Sequence, residues 1–147
     1  MTNAPSRQGA PAPHHRQYGD LASVEMFSGV TRRTLVSGAN VTLVEIRLAS
    51  GAEVPEHTHP HEQAGYVSEG RVTLRFSDGA ERTLAVGSSY LIPGGEPHFV
   101  RALEPSTLIE VFSPVRDEFV DYVLEAEASL GDRLERGPVP SEGGGLP

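Results

Sequence analysis

Three histidines in the middle of the chain are spaced as ligands of a single metal ion. His57 and His59 are one residue apart, so on a β-strand, where successive side chains alternate between faces, both point to the same side. His98 lies in a later segment that is expected to form a second strand. Glycines and prolines flank both segments and mark turns, which places the histidines at strand ends, where sites on β-scaffolds are commonly built. The sequence therefore predicts a metal site made of His57, His59 and His98.

The available donor atoms restrict this site to nitrogen and oxygen ligands. The chain contains no cysteine, which excludes disulfides and thiolate ligands. Imidazole ligands do not by themselves select one metal, because affinity order and cellular supply decide its identity. We therefore predict one divalent transition metal, Fe, Mn, Ni or Zn, as the cofactor.

The two segments resemble the two sequence motifs of the cupin superfamily, over residues 40 to 114. The first motif is matched by Gly51, His57, His59, Gln63 and Gly70, with Gln63 where the family usually has Glu. The second is matched by Gly87, Pro93, Gly95 and His98, with Ala102 where the family has Asn. The resemblance implies that Gln63 is the fourth metal ligand and that His61 is a rim residue. A neutral carboxamide leaves the site more positive than a carboxylate does, which favours an anionic substrate.

Short stretches of alternating apolar and polar residues dominate the rest of the central region. Many short strands with regularly spaced turns predict an all-β sandwich or barrel, and the resemblance implies the double-stranded β-helix, or jelly roll. The predicted strands are residues 41–48, 72–76, 81–86, 90–92, 99–103 and 107–112, with a hairpin turn at residues 77–80.

A chain of 147 residues is the size of one domain. Residues 1–20 are rich in Pro, Gly, Arg and His and are predicted to be a disordered tail, followed by the barrel at residues 21–115. Residues 116–136 are predicted to form a helix that packs against the barrel or a second subunit, and residues 137–147 a second disordered tail. The apolar positions of the helix are Phe119, Val123, Leu130 and Leu134. We expect a homodimer.

Charge and hydropathy narrow the class of partner. The net charge of −8 argues against nucleic acid, because phosphate binding requires clustered basic residues. The adjacent pair Arg32 and Arg33 is interpreted as solvated surface.

No apolar run approaches the roughly 18 to 20 residues that a membrane span needs, and the N-terminus lacks the apolar stretch of a signal peptide. We therefore expect a cytoplasmic protein that binds a small molecule.

The last predicted strand places a carboxylate on an apolar face. Leu108, Glu110 and Phe112 share one side of the strand by its period of two. A carboxylate in this position, beside the predicted metal site, indicates either a functional group or a buried ion pair with Arg101 or Arg116.

The same stretch is similar to that of the small pectin-degradation cupins, which open the ring of 4,5-unsaturated uronate sugars. The matching residues are the run from His59 to Gln63, Glu110, the run Phe112-Ser113-Pro114 and Arg116, with Glu110 where that subfamily has Asp. The resemblance implies that Glu110 is the catalytic proton-transfer group and that Phe112 and Arg116 bind substrate.

These observations predict a metal-dependent enzyme that isomerises or opens the ring of a small anionic or sugar-like molecule. Two alternatives stay open: an Fe(II)-dependent dioxygenase of an enolic or aromatic substrate, and a non-catalytic sugar- or metal-binding sensor or biosynthetic accessory protein. Oxygen consumption separates the two enzymes, and the absence of turnover with the metal fully loaded favours the third function.

Overall fold

Residues 12–120 form a barrel of short strands in a computed structural model that describes this part of the chain. A 3-10 turn at Tyr18–Asp20 precedes the first strand, and residues 117–120 are helical after the last one. The strands are β1 Val24–Phe27, β2 Val30–Ser37, β3 Thr42–Leu48, β4 Glu53–His57, β5 Glu62–Glu69, β6 Arg71–Phe76, β7 Glu81–Ala85, β8 Ser89–Ile92, β9 His98–Ala102 and β10 Ser106–Ser113.

The strands pair into two antiparallel sheets that face each other. One sheet has the order β1-β2-β3-β10-β5-β8 and the other the order β4-β9-β6-β7. β10, the last strand in sequence, lies between β3 and β5, and β9 lies between β4 and β6. This arrangement confirms the predicted all-β fold, a double-stranded β-helix.

The alternating sequence pattern predicts β3 and β6 to β10 to within two residues at each end. β1, β2, β4 and β5 are additional strands. Pro55 lies in β4, which is an edge strand with a register shift between Val54 and His57, and an edge or a bulge is where a sheet tolerates proline. Gly65 lies in the middle of β5. Proline and glycine weaken the periodic signal, so the pattern does not predict these two strands.

An apolar core fills the space between the sheets. Its largest members include Val44, Val67, Leu74, Leu108 and Phe112, each with at most 1% of its surface exposed. They come from both sheets at alternate positions along their strands, as expected for facing inner surfaces. Burial of this many aliphatic and aromatic side chains gives the barrel a source of stability that does not depend on a metal.

The described residues include only parts of the predicted N-terminal tail and helix. The Tyr18 hydroxyl donates a hydrogen bond to Oε1 of Glu45 at 2.7 Å, so residues near the end of the predicted tail at residues 1–20 contact the barrel. The predicted helix at residues 116–136 lies outside the described residues beyond Val120, as does the predicted tail at residues 137–147. Within residues 12–120, no helix is long and apolar enough to cross a membrane.

Candidate metal centre

The structure brings His57, His59 and His98 together at one end of the barrel. β4 ends at His57 and β9 begins at His98, and these two residues are register partners in the four-stranded sheet. One potential ligand atom from each of the three histidines lies within 4.8 Å of the others. His61, predicted at the rim, is not in this cluster, and its ring centroid lies 5.5 Å from that of His59.

His59 reaches the cluster from a loop and not from the strand that the one-residue spacing predicts. β4 stops at His57, and residues 58–61 lead into β5. The carbonyl oxygen of His59 accepts a hydrogen bond from the amide of Gly95 at 2.8 Å. The neighbouring Gly94 has no side chain, and a Cβ there would overlap the carbonyl oxygen of Pro60. The absence of a side chain at Gly94 therefore lets this loop lie against the loop that carries His59.

All three histidines direct one ring nitrogen to a backbone carbonyl oxygen. The Nδ1 atom lies 2.9 Å from the oxygen of Pro55 in His57, 3.1 Å from that of His61 in His59, and 2.8 Å from that of Glu96 in His98. A carbonyl oxygen only accepts, so Nδ1 carries the proton and Nε2 keeps its lone pair. Such outer contacts are what fix the tautomer and orientation of metal-binding histidines.

Both ring nitrogens of His59 face oxygen atoms that accept hydrogen bonds. Nε2 of His59 lies 3.0 Å from Oε1 of Gln63, while its Nδ1 faces the carbonyl oxygen of His61. Burial, followed by the charges of Arg116 and His98, lowers the pKa of His59 to about 4. The ring is therefore neutral near pH 7 and has one N–H for two oxygen acceptors. A cation near Nε2 and Oε1 resolves this conflict.

His98 gives a second indication that the cluster fits a cation. Its Nε2 is buried and has no hydrogen-bond partner among the described residues, although buried polar atoms are nearly always paired. Burial lowers the pKa of His98, which keeps the ring neutral and able to ligate. The donor set of three imidazole nitrogens and one amide oxygen thus fits a divalent transition metal.

Glu110 lies beside this set, buried with 6% of its surface exposed. The Tyr90 hydroxyl donates a hydrogen bond of 2.6 Å to its Oε1 atom. Burial raises the pKa of Glu110, while hydrogen bonds from Tyr90 and Gln63 and the charge of Arg116 act in the opposite direction. The sequence motifs do not single out Tyr90. Its position two residues before the buried Ile92 on β8 is the signal that it faces inward.

The two arginines considered as ion-pair partners of Glu110 pair with other carboxylates. Arg101 lies 2.8 Å from Oε1 of Glu53, its register partner across β4 and β9. Nε of Arg116 lies 2.6 Å from Oε1 of Glu118. Among the described residues, neither arginine therefore forms the buried ion pair with Glu110 that the sequence left open.

Arg116 sits over two aromatic rings at the open end of the barrel. Its Cζ atom is 4.8 Å from the ring centroid of Phe112 and 4.1 Å from that of Phe119. Oγ1 of Thr34 donates a hydrogen bond to the carbonyl oxygen of Phe119 at 3.0 Å, which holds the start of the helical segment against β2. Stacking on both rings limits the positions available to the guanidinium.

Comparison with known proteins finds similar domains and structures. Residues 44–112 match the family model described as a cupin domain. Over these residues the barrel is similar to a cupin domain. It is similar to an RmlC-like cupin from Shewanella frigidimarina, with 29% identity, a TM-score of 0.68, and coverage of 74% of this chain and 96% of that one. It is also similar to KdgF from Halomonas sp., with 28% identity, a TM-score of 0.68, and coverage of 73% of this chain and 98% of that one.

A more distant structure shares the fold alone. Oxalate decarboxylase of Bacillus subtilis is 22% identical, with a TM-score of 0.62, and the match covers 72% of this chain and 30% of that enzyme. Among curated proteins, none matches the chain significantly.

The barrel contains a cavity of about 190 Å³ beside the histidines. Its polar wall comprises His57, Gln63, His98, Glu110 and Arg116. The remainder is mostly apolar and includes Ile46, Val100 and Leu108 from the barrel core. Three of the four candidate ligands, the buried acid and the arginine thus line one cavity.

Proposed function

We propose that this barrel is a cupin domain and a metal-dependent enzyme that isomerises or opens the ring of a small anionic sugar, with an unsaturated uronate as the favoured class of substrate. One observation carries the proposal: three of the four candidate metal donors, a buried carboxyl group and an arginine line the same cavity of about 190 Å³, and the fourth donor, His59, lies in the same histidine cluster. Each of these groups has a separate task in such a reaction.

His57, His59, His98 and Gln63 would hold one divalent ion. When bound, the ion supplies a Lewis acid for a hydroxyl or carboxylate oxygen of the substrate. The rings of His59 and His98 are neutral at pH 7, because burial keeps the pKa of His59 at about 4 and that of His98 below its ordinary value, and the amide of Gln63 carries no charge. A neutral donor set leaves the full positive charge available to an anionic substrate.

Glu110 is assigned the transfer of the proton. Ring opening or isomerisation moves a proton between carbon and oxygen, and a side chain that does so works best when its pKa approaches the working pH. Burial raises the pKa of Glu110, which moves it in the required direction. The carboxyl group lines the cavity and lies beside Gln63, so it is close to any substrate that reaches the metal donors.

Arg116 and Phe112 are assigned to substrate binding. A guanidinium pairs with a carboxylate through two parallel hydrogen bonds, and Arg116 is held over Phe112 at the cavity wall. Its partner Glu118 is more than half exposed, so a substrate carboxylate can displace it at little cost. The Phe112 ring provides an apolar surface for one side of the substrate.

Two comparisons support the uronate class. The motifs around Gln63 and Phe112 resemble those of the pectin-degradation cupins, and the barrel is similar to KdgF from Halomonas sp. at 28% identity. Glu110 stands where that subfamily has Asp and is one methylene longer. Because proton transfer depends on hydrogen-bond reach, this difference is expected to alter the position of the acid relative to the substrate.

The apolar part of the cavity favours a second candidate. Ile46, Val100 and Leu108 line it, and such a wall suits the body of an enolic or aromatic molecule better than a polyhydroxylated ring. A cupin with three histidines and open coordination positions is also compatible with an Fe(II)-dependent dioxygenase of such a substrate.

One experiment tests the proposal and separates the candidates. The metal content of the purified protein is measured, and the metal-loaded protein is assayed with unsaturated uronates and with enols, under air and under nitrogen. Uronate turnover that is equal in both atmospheres supports the isomerase. Turnover of enols in air alone supports the dioxygenase. A fully loaded protein with no turnover of either class contradicts the enzymatic proposal.

A further inference from the structure

Tyr90, Gly65 and Glu110 form a row across three neighbouring strands of the six-stranded sheet. Gly65 on β5 is the register partner of Tyr90 on β8 and of Glu110 on β10. Gly65 is on the inner face of β5 with Gln63 and Val67, at alternate positions that are all buried. The row therefore lies on the inner wall of the barrel, next to the candidate ligand Gln63.

Gly65 is a glycine because the ring of Tyr90 occupies the place of its side chain. A Cβ at this position would overlap the Cζ, Cε2 and Oη atoms of Tyr90. Gly65 is not among the glycines with a positive φ angle, so its conformation does not require glycine. The requirement is space, and the space lets the Tyr90 hydroxyl cross β5 and reach Glu110 at 2.6 Å.

Glu110 in turn restricts the orientation of Gln63. As a carboxylate it only accepts hydrogen bonds, and it accepts one from Tyr90. The Gln63 amide, buried on the neighbouring strand β5, acts as a second donor that lowers the pKa of Glu110. A carboxamide has an NH₂ end and an oxygen end, and the bond to Glu110 uses the NH₂ end. The oxygen is then left on the side of His59, where Oε1 lies 3.0 Å from Nε2. In the opposite orientation, the NH₂ group would occupy the lone pair of that nitrogen.

We infer that Tyr90 is a positioning residue for the candidate metal ligand Gln63: its hydroxyl, placed over Gly65, fixes the Glu110 carboxylate, which holds the Gln63 amide oxygen toward the histidines. This inference rests on the metal site of the proposed function. It assigns Tyr90 and Gly65 a role in metal affinity, and it explains why a tyrosine and a glycine face each other at this register.

The test uses Co²⁺ as the probe, because its visible absorption reports the ligands and geometry of the bound ion. The unaltered protein, Tyr90→Phe and a matched control, Tyr66→Phe, are compared. Tyr66 is on the same strand as Gly65 but is 47% exposed on the outer face. Co²⁺ affinity is measured by competition with a chelator, together with the visible spectrum and the melting temperature of the metal-free protein.

Loss of the Tyr90 hydroxyl is expected to weaken Co²⁺ binding about tenfold, the lower end of the usual effect of outer contacts on metal affinity, and to shift the visible bands. The melting temperature of the metal-free protein should change little, since the ring is retained, and Tyr66→Phe should change none of the three quantities. Gly65→Ala, which displaces the Tyr90 ring without removing its hydroxyl, is expected to give the same weakening.

A double substitution tests whether Tyr90 acts through Glu110. In a Glu110→Ala background the link is already absent, so adding Tyr90→Phe should weaken Co²⁺ binding no further. Unaltered affinity and spectrum in Tyr90→Phe would overturn the inference, as would a loss of affinity accompanied by a large fall in the melting temperature of the metal-free protein. If the unaltered protein does not bind Co²⁺, the metal site itself is refuted, and the inference with it.

Discussion

Nε2 of His59 and Oε1 of Gln63 lie 3.0 Å apart in a site where the other nitrogen of the same ring already faces a carbonyl oxygen. A neutral imidazole cannot donate to both oxygens. The unpartnered Nε2 of His98 lies in the same cluster. The Nε2 atoms of His59 and His98 and the Oε1 atom of Gln63 therefore fit the ligands of a divalent ion.

Replacing His57 or His98 with Ala is expected to abolish binding of about one divalent ion per chain. Each variant removes one of the imidazole nitrogens grouped within 4.8 Å. The barrel has its own apolar core, so the far-UV circular dichroism should change little, unlike that of small zinc domains. Metal content is measured by elemental analysis, with His14→Ala as the control, since His14 is exposed and remote in sequence. Full metal content in both His57→Ala and His98→Ala would refute the site.

Gln63→Glu is expected to retain or tighten metal binding and to slow turnover of an anionic substrate. A carboxylate is a stronger ligand than a carboxamide, but its charge weakens the Lewis acid. It also places a second carboxylate next to Glu110, which lies against Gln63. Metal affinity and kcat are measured on the same preparation. If neither changes, Gln63 does not ligate the metal.

Glu110→Gln is expected to lower turnover by about a hundredfold or more, the usual contribution of general acid–base catalysis. The amide retains the size of the carboxyl group and an oxygen that accepts from Tyr90, but it does not exchange protons. Substrate affinity should change far less, because Arg116 provides a separate anchor. Turnover per folded molecule and thermal stability are measured together, and an active but destabilised variant would contradict the catalytic assignment.

The stability of the metal-free protein is expected to fall as the pH is lowered from about 6.5 toward 4. Burial holds the pKa of His59 at about 4 in the folded state against 6.5 for the unfolded chain. Between these two pKa values the unfolded state binds a proton that the folded state does not, so the free energy of unfolding rises with pH. The contribution of His59 is fully present above the unfolded-state pKa of 6.5. Urea unfolding with a chelator at several pH values measures this, and His59→Gln should show a weaker dependence. An equal dependence in both proteins would exclude His59 as the cause.

Local patterns in the sequence predict much of the fold and the three histidines at the centre of the site. The period of two predicts β3 and β10 because each strand presents one face to the core. The same period places Glu110 inward, which its 6% exposure confirms. The spacing of the histidines and the flanking glycines indicates a shared site, and the structure brings the three rings together. These features depend on residues that are close together in the chain, so the sequence alone predicts them.

The partners of Glu110 depend on sheet order, which local patterns do not contain. Sequence alone offers Arg101 and Arg116 as its partners, but Arg101 faces Glu53 because β4 and β9 are adjacent in the other sheet. Tyr90 becomes the partner because β8, β5 and β10 are neighbours and Gly65 leaves room between them. Phe119, predicted as part of the apolar face of a helix, lies in the helical residues 117–120 and lines the cavity under Arg116, a contact that the helical spacing does not predict. Such contacts join strands that are far apart in the chain, so the tertiary structure alone decides them.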